Sequence, residues 1–429
     1  MSTAPARRGS LWAWIPSLYL AEGLPYVVVM SVAGVMYKNF GMSNTDMALY
    51  TSWLYLPWMI KPLWSPLVDL LGTRRLWIWT MQLVVGAGLA GLALTAPLPN
   101  YVQWTLAMFW LIAFSSATHD IAADGLYMLA TNESEQAAFV GVRTMFYRIA
   151  TIAGQGLIVM LAGRLTERTG DVHHAWAIAM AVLAGLFVVF GLWHAFALPR
   201  PASDRRGDVR QAGAFLTEFA ATFGSFFAKP GIFTTVLFLL VYRLGEAQLV
   251  KMVSPFLLDP RDQGGLALTT AEVGLVYGTV GIIALTLGGI VGGLAIAQGG
   301  LKRWLWPMMF AIHIPDAAFL YLAYAQPTNL WVTQACIALE QFGYGFGLTA
   351  YLMYLMQVAR GPHQTAHYAI GTGFMAMGMM FPGMWSGWLQ DHVGYKHFFL
   401  IVILATIPCF LVATRLRIED APSPNAKAS

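Results

Sequence analysis

The 429-residue sequence predicts an all-α, polytopic membrane protein with twelve transmembrane helices in two six-helix, pseudo-repeated bundles. Composition is the first reason: 58% of residues are hydrophobic and 11% charged, with a mean hydropathy of +0.60, where a soluble domain carries about 25% charged residues. The second is that the apolar residues fall into twelve runs, each near the ~20 residues a helix needs to cross a bilayer. The third is an internal echo at a constant spacing. Because the runs are continuous rather than alternating over about ten residues, a β-barrel is excluded. Their number excludes a single-span receptor or a monotopic anchor.

Taken in order, apolar runs against loop punctuation place helices at 11–37, 47–70, 76–96, 104–131, 138–163 and 174–197. Six more follow at 231–257, 270–297, 304–325, 330–357, 366–389 and 396–414. Arg7 and Arg8 precede the first run, but that run is longer than the 7 to 15 residues of a signal-peptide core, so it reads as a retained helix. Residues 1–198 form the first expected bundle and 231–429 the second, the latter ending in a short tail. Between them, 199–230 reads as a basic connector, with Gln211 to Phe227 able to lie as an amphipathic helix in the interface. Most of the 25 Lys and Arg, among them Arg74, Arg75, Arg200, Arg205, Lys302, Arg303 and Arg360, fall on one side of this arrangement. The positive-inside rule then puts both termini and the connector in the cytoplasm.

The net charge of +4 follows from that asymmetry and gives no support to nucleic-acid binding. Cys336 and Cys409 lie in apolar runs and form neither a disulfide framework nor a metal-ligand spacing. No HExxH, Walker or Gly-x-Ser-x-Gly frame occurs, so no catalytic residue, metal or cofactor is expected. The expected partners are a small solute, protons and the bilayer, with the chain a monomer.

The echo runs at an offset of 224 residues: Gly163-Arg-Leu-Thr-Glu167-Arg-Thr-Gly170 has the frame of Gly387-Trp-Leu-Gln-Asp391-His-Val-Gly394, and Glu22 meets Glu246. Six-helix halves in parallel repeat are a transporter arrangement, with the site between them.

Ionisable side chains inside a span are expensive, so those that occur face a cavity or one another. Glu22, Glu246 and Glu340 fall near the midplane of a ~30 Å core by the 1.5 Å helical rise. Such a carboxylate takes up a proton on the more acidic side and releases it inside, or else is a packed acid satisfied by a nearby base. Depth matching across the hairpin of helices four and five pairs Asp124 with Arg143 and Asp120 with Arg148, as a switchable gate or as a permanent neutral pair. Arg243 shares a face with Glu246 and either pins it or binds an anionic solute. Lys61 lies about 9 residues inside helix two with no evident partner, which suits solute contact. Tyr19, Tyr26, Tyr127 and Tyr344 offer rings with polar tips beside these charges, a surface that suits a sugar ring or an aromatic ligand, or else they pack or face lipid. His119, beside Asp120, is either a relay or a hydrogen-bonded structural group.

After helix two, Ser65-Pro-Leu67-Val-Asp69-Leu-Leu-Gly72-Thr-Arg74-Arg75 resembles the G-x-L-x-D-R-x-G-R-R signature of the major facilitator superfamily. Leu67, Asp69, Gly72 and Arg74 match, whereas Ser65 and Leu70 depart. The corresponding Gly292-Gly-Leu-Ala-Ile296 lacks the acid, so the gating role that the resemblance implies for Asp69 belongs to the first half. The chain further resembles the AmpG-type muropeptide permeases. Six motifs carry that: Glu22-Gly-Leu-Pro25, Lys61-Pro-Leu-Trp64-Ser-Pro-Leu-Val-Asp69, Ser115-Ser-Ala-Thr-His-Asp120-Ile-Ala-Ala-Asp124, Tyr147-Arg148, Leu244-Gly-Glu246-Ala and Glu340-Gln-Phe-Gly-Tyr-Gly. That resemblance implies proton-driven import across the bacterial inner membrane, with anhydromuropeptides as the best-known cargo. His119 stands where a Gln is usual. Related permeases for oligosaccharides, siderophores or acetyl-CoA keep the cargo open, and a non-transporting membrane sensor of the same fold is the alternative outside transport.

Overall fold

A computed structural model describes residues 10–206, 221–416 and 418, with the backbone alone at 66, 67, 69, 70, 133, 137 and 365. Arg7, Arg8, Arg210, Arg417, Lys427 and the expected interfacial helix from Gln211 to residue 220 lie outside the described residues, whereas Ala221–Phe227 is helical. The described residues are helical nearly throughout. They form α1 (Leu11–Asn39), α2 (Asn44–Trp53 with Leu56–Leu71), α3 (Arg74–Thr95), α4 (Tyr101–Ala130), α5 (Glu133–Thr151 continuing through Val159–Thr169) and α6 (Val172–Ala197). The second half gives α7 (Ile232–Leu258), then Thr270–Ala325, Leu330–Ala359 (α10) and Gln364 to Ala413.

Thr270–Ala325 and the Gln364–Ala413 stretch are each of double length. Gly300, at φ 73°, and Gly394, at φ 71°, turn them back, giving α8 and α9 from the first and α11 and α12 from the second. Length and apolarity alone pick out only seven or eight spans. The difference has a physical reason: the double-length stretches count once each, α2 is interrupted between Trp53 and Leu56, and α10 carries Glu340 and Gln341 together with Thr333, Gln334, Thr349 and Gln357 in one span.

Local chemistry fixes the helix ends. Asn132 and Glu135 form a reciprocal capping box at the start of α5, both bonds at 2.9 Å. At α3, Thr73 accepts from the Leu76 amide, and Asp204 of the connector accepts from the amides of Arg74 at 2.8 Å and Arg75 at 3.2 Å. A carboxylate at a helix N-terminus satisfies orphan donors and meets the positive end of the dipole. Pro25 removes an amide donor inside α1, and the chain widens into a π-type turn over Val28–Val32 just beyond it.

Two compact units emerge. One holds the described residues up to Gly41, then Leu54 into the connector, and Thr270–Gly274; its apolar core includes Trp14, Leu18, Tyr19, Ile78, Leu126 and Tyr127. The other holds Met42–Trp53, the helices from residue 221 to Thr269, and everything from Leu275, with Phe238, Tyr242, Met308, Ile312 and Tyr351 at its core. Each unit therefore takes one short helical segment from the opposite half of the sequence. The echoed glycines make room for those segments. A Cβ on Gly163 would stand 2.3 Å from the Ala271 nitrogen, and one on Gly387 would stand 1.9 Å from the Asn44 oxygen. Their partners in the repeat, Gly170 and Gly394, share a left-handed φ of 71°. Phe196, Phe233, Leu94 and Trp331 stay exposed, as suits a surface facing lipid rather than water.

Candidate functional site

In the first unit, α1, α2, α4 and α5 bring a ring of charges together. The Arg143 guanidinium donates to Asp124 Oδ1 at 2.6 Å and lies over the rings of Tyr19, at 4.2 Å, and Tyr127, at 4.4 Å. Tyr19 donates its hydroxyl to the same carboxylate oxygen at 3.2 Å. One guanidinium thus neutralises an acid and clamps two aromatic rings. Tyr127 is held in turn by donation to the Gln136 carbonyl at 3.1 Å.

One helical turn away on α4, Asp120 takes different partners from those expected. The Trp58 indole N–H donates to its Oδ2 at 3.0 Å and the Lys61 ammonium lies 3.8 Å from the same atom. The expected Asp120–Arg148 pair is therefore corrected to Asp120–Lys61. Depth matching within the α4–α5 hairpin could not see a base supplied by α2. It follows that Lys61 does have a protein partner. Tyr26 stacks edge-on against Trp58 at 5.2 Å and faces Tyr147 at 6.5 Å. Glu22 is 9% exposed, its Oε2 accepts no hydrogen bond from any described residue, and the charges of Asp124, Asp120, Arg143 and Lys61 all reach it. Asp69 lies in Leu56–Leu71, and its side chain is outside the described set.

Behind this ring, His119, Gln82, His194 and Ser17 form a buried hydrogen-bonded chain with links of 2.9, 2.8 and 2.9 Å. It ties α4 to α3, α6 and α1. The carboxamide of Gln82 interrupts any proton path, so His119 reads as a structural group.

In the second unit the Arg243 guanidinium hydrogen-bonds to the Tyr344 hydroxyl and lies 5.2 Å from that ring. Neither oxygen of Glu246 accepts a hydrogen bond from a described residue, although the charge of Arg243 reaches it. Glu246 of α7, Glu340 of α10 and Asp316 converge, with one carboxylate oxygen of each within 4.8 Å of the others. They are 0%, 1% and 1% exposed. Glu340 alone has a donor, the Gln341 amide at 3.0 Å. Asp316 was missing from the sequence reading. The signal that could have found it is the rule applied to the other acids, a carboxylate inside an apolar run, here just after Pro315 in α9.

Comparison with known proteins adds the family. The sequence model described as Major Facilitator Superfamily matches residues 17–359. The chain belongs to the major facilitator superfamily. Among its relatives, the Rickettsia conorii protein named "Putative transporter AmpG 4" is 25% identical over 411 residues, spanning 92% of this chain and 94% of the relative. The protein named anhydromuropeptide permease in Escherichia coli K12 is 23% identical over 398 residues, 91% of this chain and 76% of that one. Solved structures of similar fold include a D-xylose-proton symporter, with a TM-score of 0.69 at 12% identity over 93% of this chain and 95% of the other. A bacterial homologue of the lysosomal transporter Spinster also gives 0.69, at 16% identity over 99% and 100%. The expected all-α fold and the AmpG-type resemblance are thereby borne out: this superfamily member is a multi-pass transporter with AmpG-type relatives along nearly its whole length.

Proposed function

We propose that the protein is a secondary active transporter of the bacterial inner membrane that imports a saccharide-containing solute, such as an anhydromuropeptide or an oligosaccharide, together with protons. The halves 1–198 and 231–429 would move as bodies about the connector 199–230, with both termini cytoplasmic. One observation carries the coupling. Lys61 is engaged by Asp120 and Arg143 by Asp124, which leaves Glu22 as the acid of this ring that forms no ion pair among the described residues. An unmatched buried charge is costly, so Glu22 is stable there when it carries a proton or when a cationic group of the solute arrives. The rings of Tyr19, Tyr26, Trp58 and Tyr127 beside it supply faces for a pyranose, and the name of the Escherichia coli relative supports such a cargo.

The test is uptake into proteoliposomes of a labelled anhydromuropeptide and of a β-linked disaccharide, each with and without an inward proton gradient. Gradient-dependent accumulation of one of them is expected, and Glu22→Gln, folded by size-exclusion profile, is expected to lose accumulation while retaining exchange down a gradient. Uptake of neither by folded protein would favour a siderophore as cargo, and full accumulation by Glu22→Gln would remove the coupling role.

A further inference from the structure

Three of the chain's carboxylates meet in the second unit where no solute chemistry has been assigned to them. Their convergence is built into the helices. α9 is interrupted over Ile314–Asp316 by Pro315, and Asp316 lies at that break with no cap hydrogen bond from its side chain. On α10, Gly343 faces the interruption: a Cβ there would stand 2.1 Å from the Ala311 oxygen and 2.9 Å from Pro315 Cγ. The absent side chain lets α9 close against α10 one turn from Glu340. Irregular backbone at membrane depth is tolerated where it lines a site, and broken helices are where transporters hold ions.

Both oxygens of Glu246 and both of Asp316 are buried and accept no hydrogen bond from any described residue. An acid kept only for packing would be given donors, because a buried polar group left unsatisfied costs free energy at every moment of the protein's life. Here the available amide, Gln341, goes to Glu340 alone. One oxygen from each of the three residues lies within 4.8 Å of the other two. For any three oxygens within 4.8 Å of one another some point lies within about 2.8 Å of all of them, which a cation coordinated at ~2.3–2.6 Å can occupy with little movement, whereas magnesium demands near-ideal octahedral geometry and dehydrates reluctantly. Hard, hydrated metals prefer such all-oxygen sites.

We propose that Glu246, Asp316 and Glu340 form a binding site for a hard, oxygen-seeking metal cation of the size of Na⁺ or Ca²⁺. The site belongs to the second unit and shares no residue with Glu22 and its pairs.

Binding of radiolabelled sodium, and separately of radiolabelled calcium, to the purified full-length protein is measured by scintillation proximity, with choline and magnesium as competitors. Saturable binding of one of the two labels is expected, displaced by the unlabelled ion and far less by magnesium or choline. Asp316→Asn and Glu340→Gln are each expected to weaken it at least about tenfold, whereas Glu167→Gln, an exposed acid on α5, leaves it unchanged. Absence of saturable binding of either label to the wild-type protein overturns the proposal, whatever the variants do. So does wild-type affinity retained in both amide variants, or occupancy that follows pH alone and not the metal concentration. None of these readings involves transport, so failure of the import reading leaves them standing.

Discussion

At Arg143 one planar group does two things: it donates to Asp124, and it lies over Tyr19 and Tyr127, whose rings meet edge-on at 5.9 Å. Lysine would keep the charge but lose the plane. Cation–π contacts are worth roughly 0.5–2 kcal/mol each, so Arg143→Lys is expected to lower the initial uptake rate by between ~3- and ~30-fold at equal surface expression. Arg148→Lys, which alters a group with no acid partner among the described residues, should change it less than about twofold. Equal losses in the two variants would mean that the stacked plane is irrelevant. At this scale the sequence exposed the Asp124–Arg143 pair because both residues lie on one hairpin, where depth can be counted from the turn. It did not expose Lys61 beside Asp120, since nothing in a hydropathy pattern says which face of α2 meets α4. Glu22, Glu246 and Glu340 were legible as acids in apolar runs, but the meeting of the last two with Asp316 depends on the α9 break and on Gly343.

Elements were legible wherever the apolar run was continuous. The expected helices at 104–131 and 330–357 are found at Tyr101–Ala130 and Leu330–Ala359. Interruptions were not, because a π-type turn at Val28–Val32 or a break at Tyr242–Arg243 leaves hydropathy unchanged. The repeated glycine frame was visible as spelling, and its meaning is steric. Gly387 has the Asn44 oxygen where its Cβ would go, whereas Gly185, on the same kind of helix, has nothing within 4 Å. Gly387→Ala is therefore expected to cost about 1–3 kcal/mol through displacement of the start of α2, read as a lower melting temperature of the purified protein in detergent. Gly185→Ala should be neutral or slightly stabilising, as Ala for Gly is worth about 0.5–1 kcal/mol in a helix. A Gly387→Ala protein that melts with the wild type would show that this approach carries no energy.

For the whole molecule the open structural quantity is its direction in the membrane. Basic residues weigh toward the loops after α2 and α10 and toward the connector, which places Arg205 inside and the loop around Asp262 outside. In a Cys336→Ser background, a membrane-impermeant maleimide applied to intact cells is expected to label Asp262→Cys and to label Arg205→Cys only after the cells are opened. Both residues precede or follow described helix ends, at the connector and at the short turn Arg261–Gln263. The opposite pattern would reverse the topology while leaving every contact in the fold intact.

The exchange of short segments, Met42–Trp53 into one unit and Thr270–Gly274 into the other, has a historical reading. If the second half arose by copying the first, the parent was a single six-helix chain, and two such chains would have had to lend each other the same segment. That is a domain-swapped homodimer, a low-cost way for identical protomers to associate. Gly163 and Gly387 would then be one ancestral glycine, kept twice because the loan was reciprocal, and residues 199–230 the later tether that made the partnership permanent.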